Sequence, residues 1–257
     1  MLILRKKIAM AFMLALGTAA AQAAPQPAVK DIVIVHGALV AGSGWRAVHD
    51  ILTKDGFHVT IVQEPNTSLT ADVAATERAI ADQTGSVVLV GHSYAGSVIT
   101  EAGADPKVHA LVYVSALQPD VGEASGQLLQ KFAVPNNAMR ADVDPGTKDP
   151  FLFLPPAKFR ASYAADVPAP EAQFLADSQE QLAQKALGAP VTVAAWHTKP
   201  SYAVLTTLDH MVSPKLQSWM YERSHSKVTE VAASHASFIS HPDVIARVIE
   251  TAAKQAD

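Results

Sequence analysis

From residue 31 onward, short aliphatic runs of strand length alternate with stretches whose apolar residues recur at helical spacing. That alternation is the signature of a parallel sheet joined by crossover helices. The runs 32–35, 59–62, 87–90 and 111–114 are nearly continuous in Val, Ile and Leu rather than alternating apolar with polar. Strands covered by helices on both faces have this composition, so all four are read as interior strands. Between them Trp45, Val48, Ile51 and Leu52 fall on one helical face, and Leu69, Val73, Ala74 and Ile80 do so after the candidate cap Ser68. Strand signals return at 201–207 and 228–232, and Val244, Val248 and Ile249 share one face of a last helix begun near Pro242. The fold class predicted is α/β.

From about 120 to 199 the pattern dissolves into Pro, Ala and scattered aromatics, among them Phe132, Phe159, Tyr163 and Trp196. So long an excursion between two strands of one sheet exceeds any bare loop. It is read as a helical cap inserted after the strand near 108–115, not as an independent domain.

The first two dozen residues obey other rules. Arg5, Lys6 and Lys7 precede an apolar run at 8–16, and small residues follow to Ala24. The run falls well short of the ~20 residues that a bilayer span needs, and Ala21-Gln22-Ala23 offers a small-x-small cleavage site. Residues 1–23 are therefore read as a secretory signal peptide cut after Ala23. The mature chain, 24–257, is expected to be secreted, in the periplasm, without a membrane span. Removing three basic residues makes a formal net charge of −4 more negative still. With no Lys/Arg runs there is no footprint for nucleic acid or anionic lipid, so the expected partner is a small molecule. The chain has no cysteine, which excludes thiol nucleophiles, thiolate metal sites and disulfides.

The most informative stretch runs from Val87 to Ile99, VVLVGHSYAGSVI: strand, tight turn, helix. A serine at such a junction sits on an elbow that lifts its hydroxyl above the sheet edge, beside a helix N-terminus that favours negative charge. Ser93 is the candidate nucleophile. The spacing G-x-S-x-G is missed by one methyl group, because Ala95 stands where the second Gly is usual and Gly96 follows. A serine hydroxyl needs a base, and the base a third group to orient it. In this architecture the order is Ser, then acid, then His, each after a strand. The strand at 201–207 leads into Asp209 and the one at 228–232 into His235.

These two outrank their rivals. Among ten histidines, His241 precedes Pro242 at a helix entry. Asp120 lies after the strand at 111–114 but within a turn-like Pro-Asp-Val-Gly. His210 belongs to no metal-ligand spacing such as H-E-x-x-H, so no metal is expected. After the first strand, His36-Gly37-Ala38 forms a Gly-containing turn without G-K-[ST] or a clean G-x-G-x-x-G, which argues against a nucleotide. Lying beside the elbow, this turn allows the N–H groups of Ala38 and Tyr94 to form an oxyanion site.

With these residues in place, the sequence resembles the α/β-hydrolase superfamily, in particular the small-cap branch of plant methylesterases, hydroxynitrile lyases and bacterial esterases. VHGALVAGSGW, LVGHSYAG, TEAGADPKVHALVYVSA and ASHASFISHP carry the resemblance, in order and spacing. It implies the α/β-hydrolase fold, a mostly parallel sheet flanked by helices, with Ser93, Asp209 and His235 as triad and Ala38 and Tyr94 as oxyanion donors. The hydroxynitrile lyases carry a Thr in the oxyanion turn and a Lys after the catalytic His, where this chain has Gly37 and Ala236. Haloalkane dehalogenases have Asp at the elbow, where this chain has Ser93. Hydrolysis of small to medium hydrophobic esters, with no cofactor, is the resulting expectation. His36, Gly37, Phe132 and Trp196 are expected at the substrate pocket. C–C bond hydrolysis or amide hydrolysis on the same triad, or a slow-turnover ligand receptor, are the alternatives.

Overall fold

The computed structural model describes residues 29–135, 138–146 and 148–254; the leader read from residues 1–23 lies outside them. The chain begins β1 (Asp31–Val35), α1 (Arg46–Lys54), β2 (His58–Val62), α2 (Leu69–Ala81), β3 (Val87–His92), α3 (Ala95–Ala102) and β4 (Val108–Val114). Then come α4 (Ser125–Lys131), β5 (Arg140–Val143), β6 (Pro150–Phe153), α5 (Pro156–Tyr163), α6 (Ala169–Asp177), β7 (Leu182–Ala183) and α7 (Gln184–Gly188). β8 (Ser201–Thr206), α8 (Pro214–Arg223), β9 (Lys227–Val231), α9 (Ser237–Ser240) and α10 (Pro242–Lys254) complete the order.

The main sheet has the order β2-β1-β3-β4-β8-β9 with every pairing parallel. Ile32 sits between Val59 and Val88 across the ladder, and β1 and β3 are wholly buried, as their unbroken aliphatic runs require. β2 corrects the reading of four interior strands. It is an edge, with His58 exposed and Val59 to Ile61 half-buried. An apolar run cannot by itself tell one covered face from two.

The chain leaves β1 outward to β2, then crosses back to β3. With right-handed crossovers this places α1 on one face and α2 and α3 on the other. The packing agrees, α1 against α10 and α2 against α3. α2 is capped as its sequence suggests, the Ser68 hydroxyl accepting from the Ala71 N–H at 3.2 Å. The strand order reverses between β1 and β3, and it is outside such a switch point, at the carboxyl ends of the strands, that α/β sheets hold their sites.

Between β4 and β8 lie α4 to α7, as the weak periodicity suggests, together with a small antiparallel sheet, β5-β6-β7, that was not expected in a helical cap. Its strands have four, four and two residues, and β5 is exposed while β6 is half-buried. Elements this short, flanked by Pro and charge, never establish a two-residue period.

Candidate active site

At the end of β3 the backbone reverses through Ser93, whose φ of 55° lies in the left-handed region that side chains avoid. The turn is held from several sides. The Ser93 N–H donates to the Val114 carbonyl at 3.2 Å, and the Ser93 carbonyl accepts from the N–H groups of Gly96 at 3.1 Å and Leu117 at 3.0 Å. Such close approach dictates where glycine must stand. A Cβ on Gly96 would lie 1.8 Å from the Leu117 carbonyl oxygen, and one on Gly91 would lie 2.8 Å from that of Ala95. Ala95 itself is fully buried with its methyl accommodated, so the missing second glycine of the motif is no obstacle to the elbow. Gly37 is fixed likewise, since a Cβ there would meet the His92 carbonyl at 2.8 Å and the Ser93 Cβ at 2.9 Å.

Three residues far apart in sequence meet at this elbow. Ser93 Oγ lies 2.8 Å from His235 Nε2, and His235 Nδ1 lies 2.7 Å from Asp209 Oδ2. An acceptor on one side of the imidazole and a hydroxyl on the other select the tautomer with its proton on Nδ1, leaving Nε2 to take the serine proton. The Asp209 carboxylate is buried and fully engaged. Oδ1 accepts from the N–H groups of Met211 at 2.7 Å and Val212 at 2.9 Å, and Oδ2 also accepts from Thr206 Oγ1 at 2.9 Å and Gln217 Nε2 at 3.0 Å. The rivals lie elsewhere. Asp120 pairs with His197 at 2.8 Å, His241 contacts Ser240 at 2.9 Å, and His210 Nδ1 lies 3.2 Å from the Ala161 carbonyl.

Beside Ser93, the turn carrying Ala38 and the start of α3 at Tyr94 border one cavity of about 610 Å³. Neither the Ala38 nor the Tyr94 N–H donates to another backbone group among the described residues. Two such donors near a serine oxygen are what a tetrahedral oxyanion needs. The cavity walls are apolar, with Leu117, Leu129, Phe132, Leu152, Leu187 and Met211 prominent. No acidic side chain lines it, and Arg140 is its only charged one among the described residues.

Of the residues expected at the pocket, Phe132 lies in this wall, while His36, Gly37 and Trp196 do not. His36 is buried behind the turn, its Nδ1 donating to the Gly37 carbonyl at 2.9 Å and its Nε2 accepting from the Glu64 N–H at 3.1 Å. Burial lowers its pKa and keeps it neutral. Trp196 donates its indole N–H to the Pro119 carbonyl at 2.8 Å and stacks on His197.

A model of the alpha/beta hydrolase family matches residues 32–248, a span that includes Ser93, Asp209 and His235. The chain belongs to the alpha/beta hydrolase family. Among similar members is an alpha/beta hydrolase, nvfD, of Aspergillus novofumigatus, 27% identical over 248 residues, 88% of this chain and 97% of that one. A carbendazim hydrolyzing esterase of a Nocardioides species is 34% identical over 120 residues, 41% of this chain and 49% of that one. In three dimensions the fold is similar to that of a methylesterase protein from Arabidopsis, with a TM-score of 0.74 and 19% identity, covering 87% of this chain and 98% of that one.

Several residues that build the hydrolase site have no signature in the sequence. Gln217, on α8, reaches Asp209 from a different element, and its Oε1 accepts from the Thr206 N–H at 3.0 Å. His92 is wholly buried, its Nε2 donating to the His235 carbonyl at 3.0 Å; burial holds its pKa well below the ordinary range, so it stays neutral. From the cap, Tyr163 packs edge-on against His235, and its carbonyl accepts from the Ala236 N–H at 3.0 Å. Asp166 accepts from both the N–H and the hydroxyl of Ser234. Only His92, beside the elbow serine, offered a sequence cue.

Proposed function

We propose that this hydrolase cleaves carboxylic esters through an acyl-enzyme on Ser93. The observation that carries the reading is the unbroken relay from Ser93 Oγ to His235 at 2.8 Å and from His235 to Asp209 at 2.7 Å. Ser93 Oγ attacks the ester carbonyl carbon as its proton passes to His235 Nε2. Asp209 stabilises the imidazolium that forms. The N–H groups of Ala38 and Tyr94 bind the tetrahedral oxyanion, each donor contributing about 3 kcal/mol to lowering the barrier. The C–O bond to the alcohol then breaks as His235 returns the proton to the departing oxygen. Water, deprotonated by His235, attacks the acyl carbon and releases the acid and free Ser93.

The esterase named among the relatives supports ester rather than amide chemistry. The apolar cavity of about 610 Å³ falls in the range of sites for drug-sized ligands, and suits small to medium hydrophobic acyl or alcohol groups. The chain between β4 and β8, which supplies much of that wall, acts as the cap of a single catalytic domain. No described helix is long and apolar enough to cross a membrane. The leader pattern supports export with cleavage after Ala23, so the exported protein should begin at Ala24 by amino-terminal sequencing.

The test of the activity is hydrolysis of p-nitrophenyl esters of increasing chain length beside Ser93→Ala. Turnover of the short-chain esters that falls by ~10³-fold or more in the variant is expected. Equal inertness of the two proteins would refute the esterase reading.

A further inference from the structure

Behind the elbow lies a buried polar cluster with no part in the steps above. Tyr94, which borders the cavity, reaches into this cluster with its phenol. Its phenol O–H donates to Asp72 Oδ2 at 2.8 Å, with both side chains buried. The other oxygen, Asp72 Oδ1, accepts from the Asn66 N–H at 2.8 Å. Asn66 is itself buried in the left-handed region, with φ of 54°, and its carbonyl accepts from the Ala183 N–H at 2.8 Å. Three residues earlier, Glu180 exchanges backbone hydrogen bonds of 2.8 and 3.3 Å with Leu39, the neighbour of Ala38. Leu39 is also left-handed, with φ of 73°. A chain of contacts thus runs from one oxyanion donor, through Asp72 and the cap, to the other.

Resting on the esterase reading, we propose that Asp72 is a positioning residue of the oxyanion hole: through the Tyr94 phenol and the Asn66 backbone it fixes the Tyr94 N–H relative to the turn that carries Ala38. Two observations make this more than packing. A buried carboxylate is expensive unless its acceptors are filled, and Asp72 fills them with the elbow residue and the loop behind it. Burial, opposed by these hydrogen bonds and assisted by the Glu180 charge, raises the Asp72 pKa to about 6. Its neighbour Glu64 is buried too, with no hydrogen-bond partner for either carboxyl oxygen among the described residues. Perturbed carboxyls cluster at functional sites, and Asp72 touches the elbow directly through the Tyr94 phenol. Asp72 also sits in the first turn of α2, where the helix dipole favours its charge.

The test uses the full chain, Tyr94→Phe, Asp72→Asn and the double variant. For each, kcat and KM are measured with p-nitrophenyl butyrate. The affinity of an aryl trifluoromethyl ketone, which forms a tetrahedral hemiketal on Ser93, is read by fluorine NMR. Each single variant should lose about tenfold in kcat and about tenfold in ketone affinity, with KM within about twofold, because only the oxyanion is affected. The double variant should be no worse than either single one, since the pair acts as a unit. Folded variants with wild-type kcat and ketone affinity would overturn the proposal, as would a loss confined to KM. If Asp72→Asn does not fold, Tyr94→Phe, which removes only a hydroxyl, decides alone. A wild type that forms the hemiketal but does not turn over esters defeats the esterase reading, and the ketone affinities of the variants still decide the role of Asp72. A wild type that forms no hemiketal overturns both.

Discussion

Position 96 has room for a hydrogen and nothing larger on its Cα, because the Leu117 carbonyl closes over it. Gly96→Ala should therefore cost about 3 kcal/mol or more, read as a fall in Tm and soluble yield. Ala95→Gly should cost about 1 kcal/mol of helix propensity and leave turnover within about twofold. If the two substitutions behave alike, the steric reading of the elbow is wrong. In sequence the departure at Ala95 looked like a weakness of the motif. Which glycine is obligatory depends on a carbonyl more than twenty residues away, and no local pattern carries that. Glu64 poses a different residue-scale test. Burial first, then the charges of Asp72 and Glu180, raise its pKa well above the usual carboxylic range. The native state then holds a proton that the unfolded chain releases across that window, so this site's contribution to stability is full at acid pH and lost as pH rises. Glu64→Gln removes the linkage. Its Tm relative to wild type should therefore be higher at pH 8 than at pH 5, and a pH-independent difference would contradict the account.

At the scale of elements, the cavity is bounded by α4 and α7 of the inserted segment and by the loop after β8, and the C-terminal end of α4 packs on an aromatic side chain of the main body. Lys131 Nζ lies 3.8 Å from the centroid of the Trp219 ring on α8, the Arg223 guanidinium lies 4.4 Å from it, and Phe132 lies 6.2 Å from it. Each cation over the ring contributes about 0.5–1 kcal/mol. Trp219→Ala should loosen the end of α4 and the Phe132 wall, raising KM for bulky esters several-fold while kcat stays within about twofold. A loss in kcat at constant KM would place Trp219 in the catalytic machinery instead. This tie joins residues 131, 219 and 223, and no periodicity signals it. The same holds for β5 to β7, whose strands are too short to show alternation. The long aliphatic runs of β1, β3 and β4 were legible because burial on both faces leaves no polar position.

For the whole molecule, the sheet order β2-β1-β3-β4-β8-β9 explains why a site legible as three separate residues becomes one. Reversal of direction between β1 and β3 opens the crevice where Gly37 meets Ser93, and parallel pairing on through β8 and β9 brings Asp209 and His235 to the same edge. Each of Ser93, Asp209 and His235 follows a strand in the sequence, which made it legible as a candidate. Gln217 and Tyr163, which contact Asp209 and His235, arrive from α8 and α5, where only the folded chain brings them near, while Thr206 ends β8 three residues before Asp209. The account stands on Ser93 carrying the acyl group. The most direct measurement is intact-protein and peptide mass spectrometry after a millisecond acid quench of the wild-type protein mixed with excess p-nitrophenyl ester, whose good leaving group lets acylation outrun deacylation. The account predicts a mass gain of one acyl group confined to the peptide containing Ser93 and absent when Ser93 is replaced by Ala. Acylation at another residue, or ester turnover at the wild-type rate without Ser93, would contradict it.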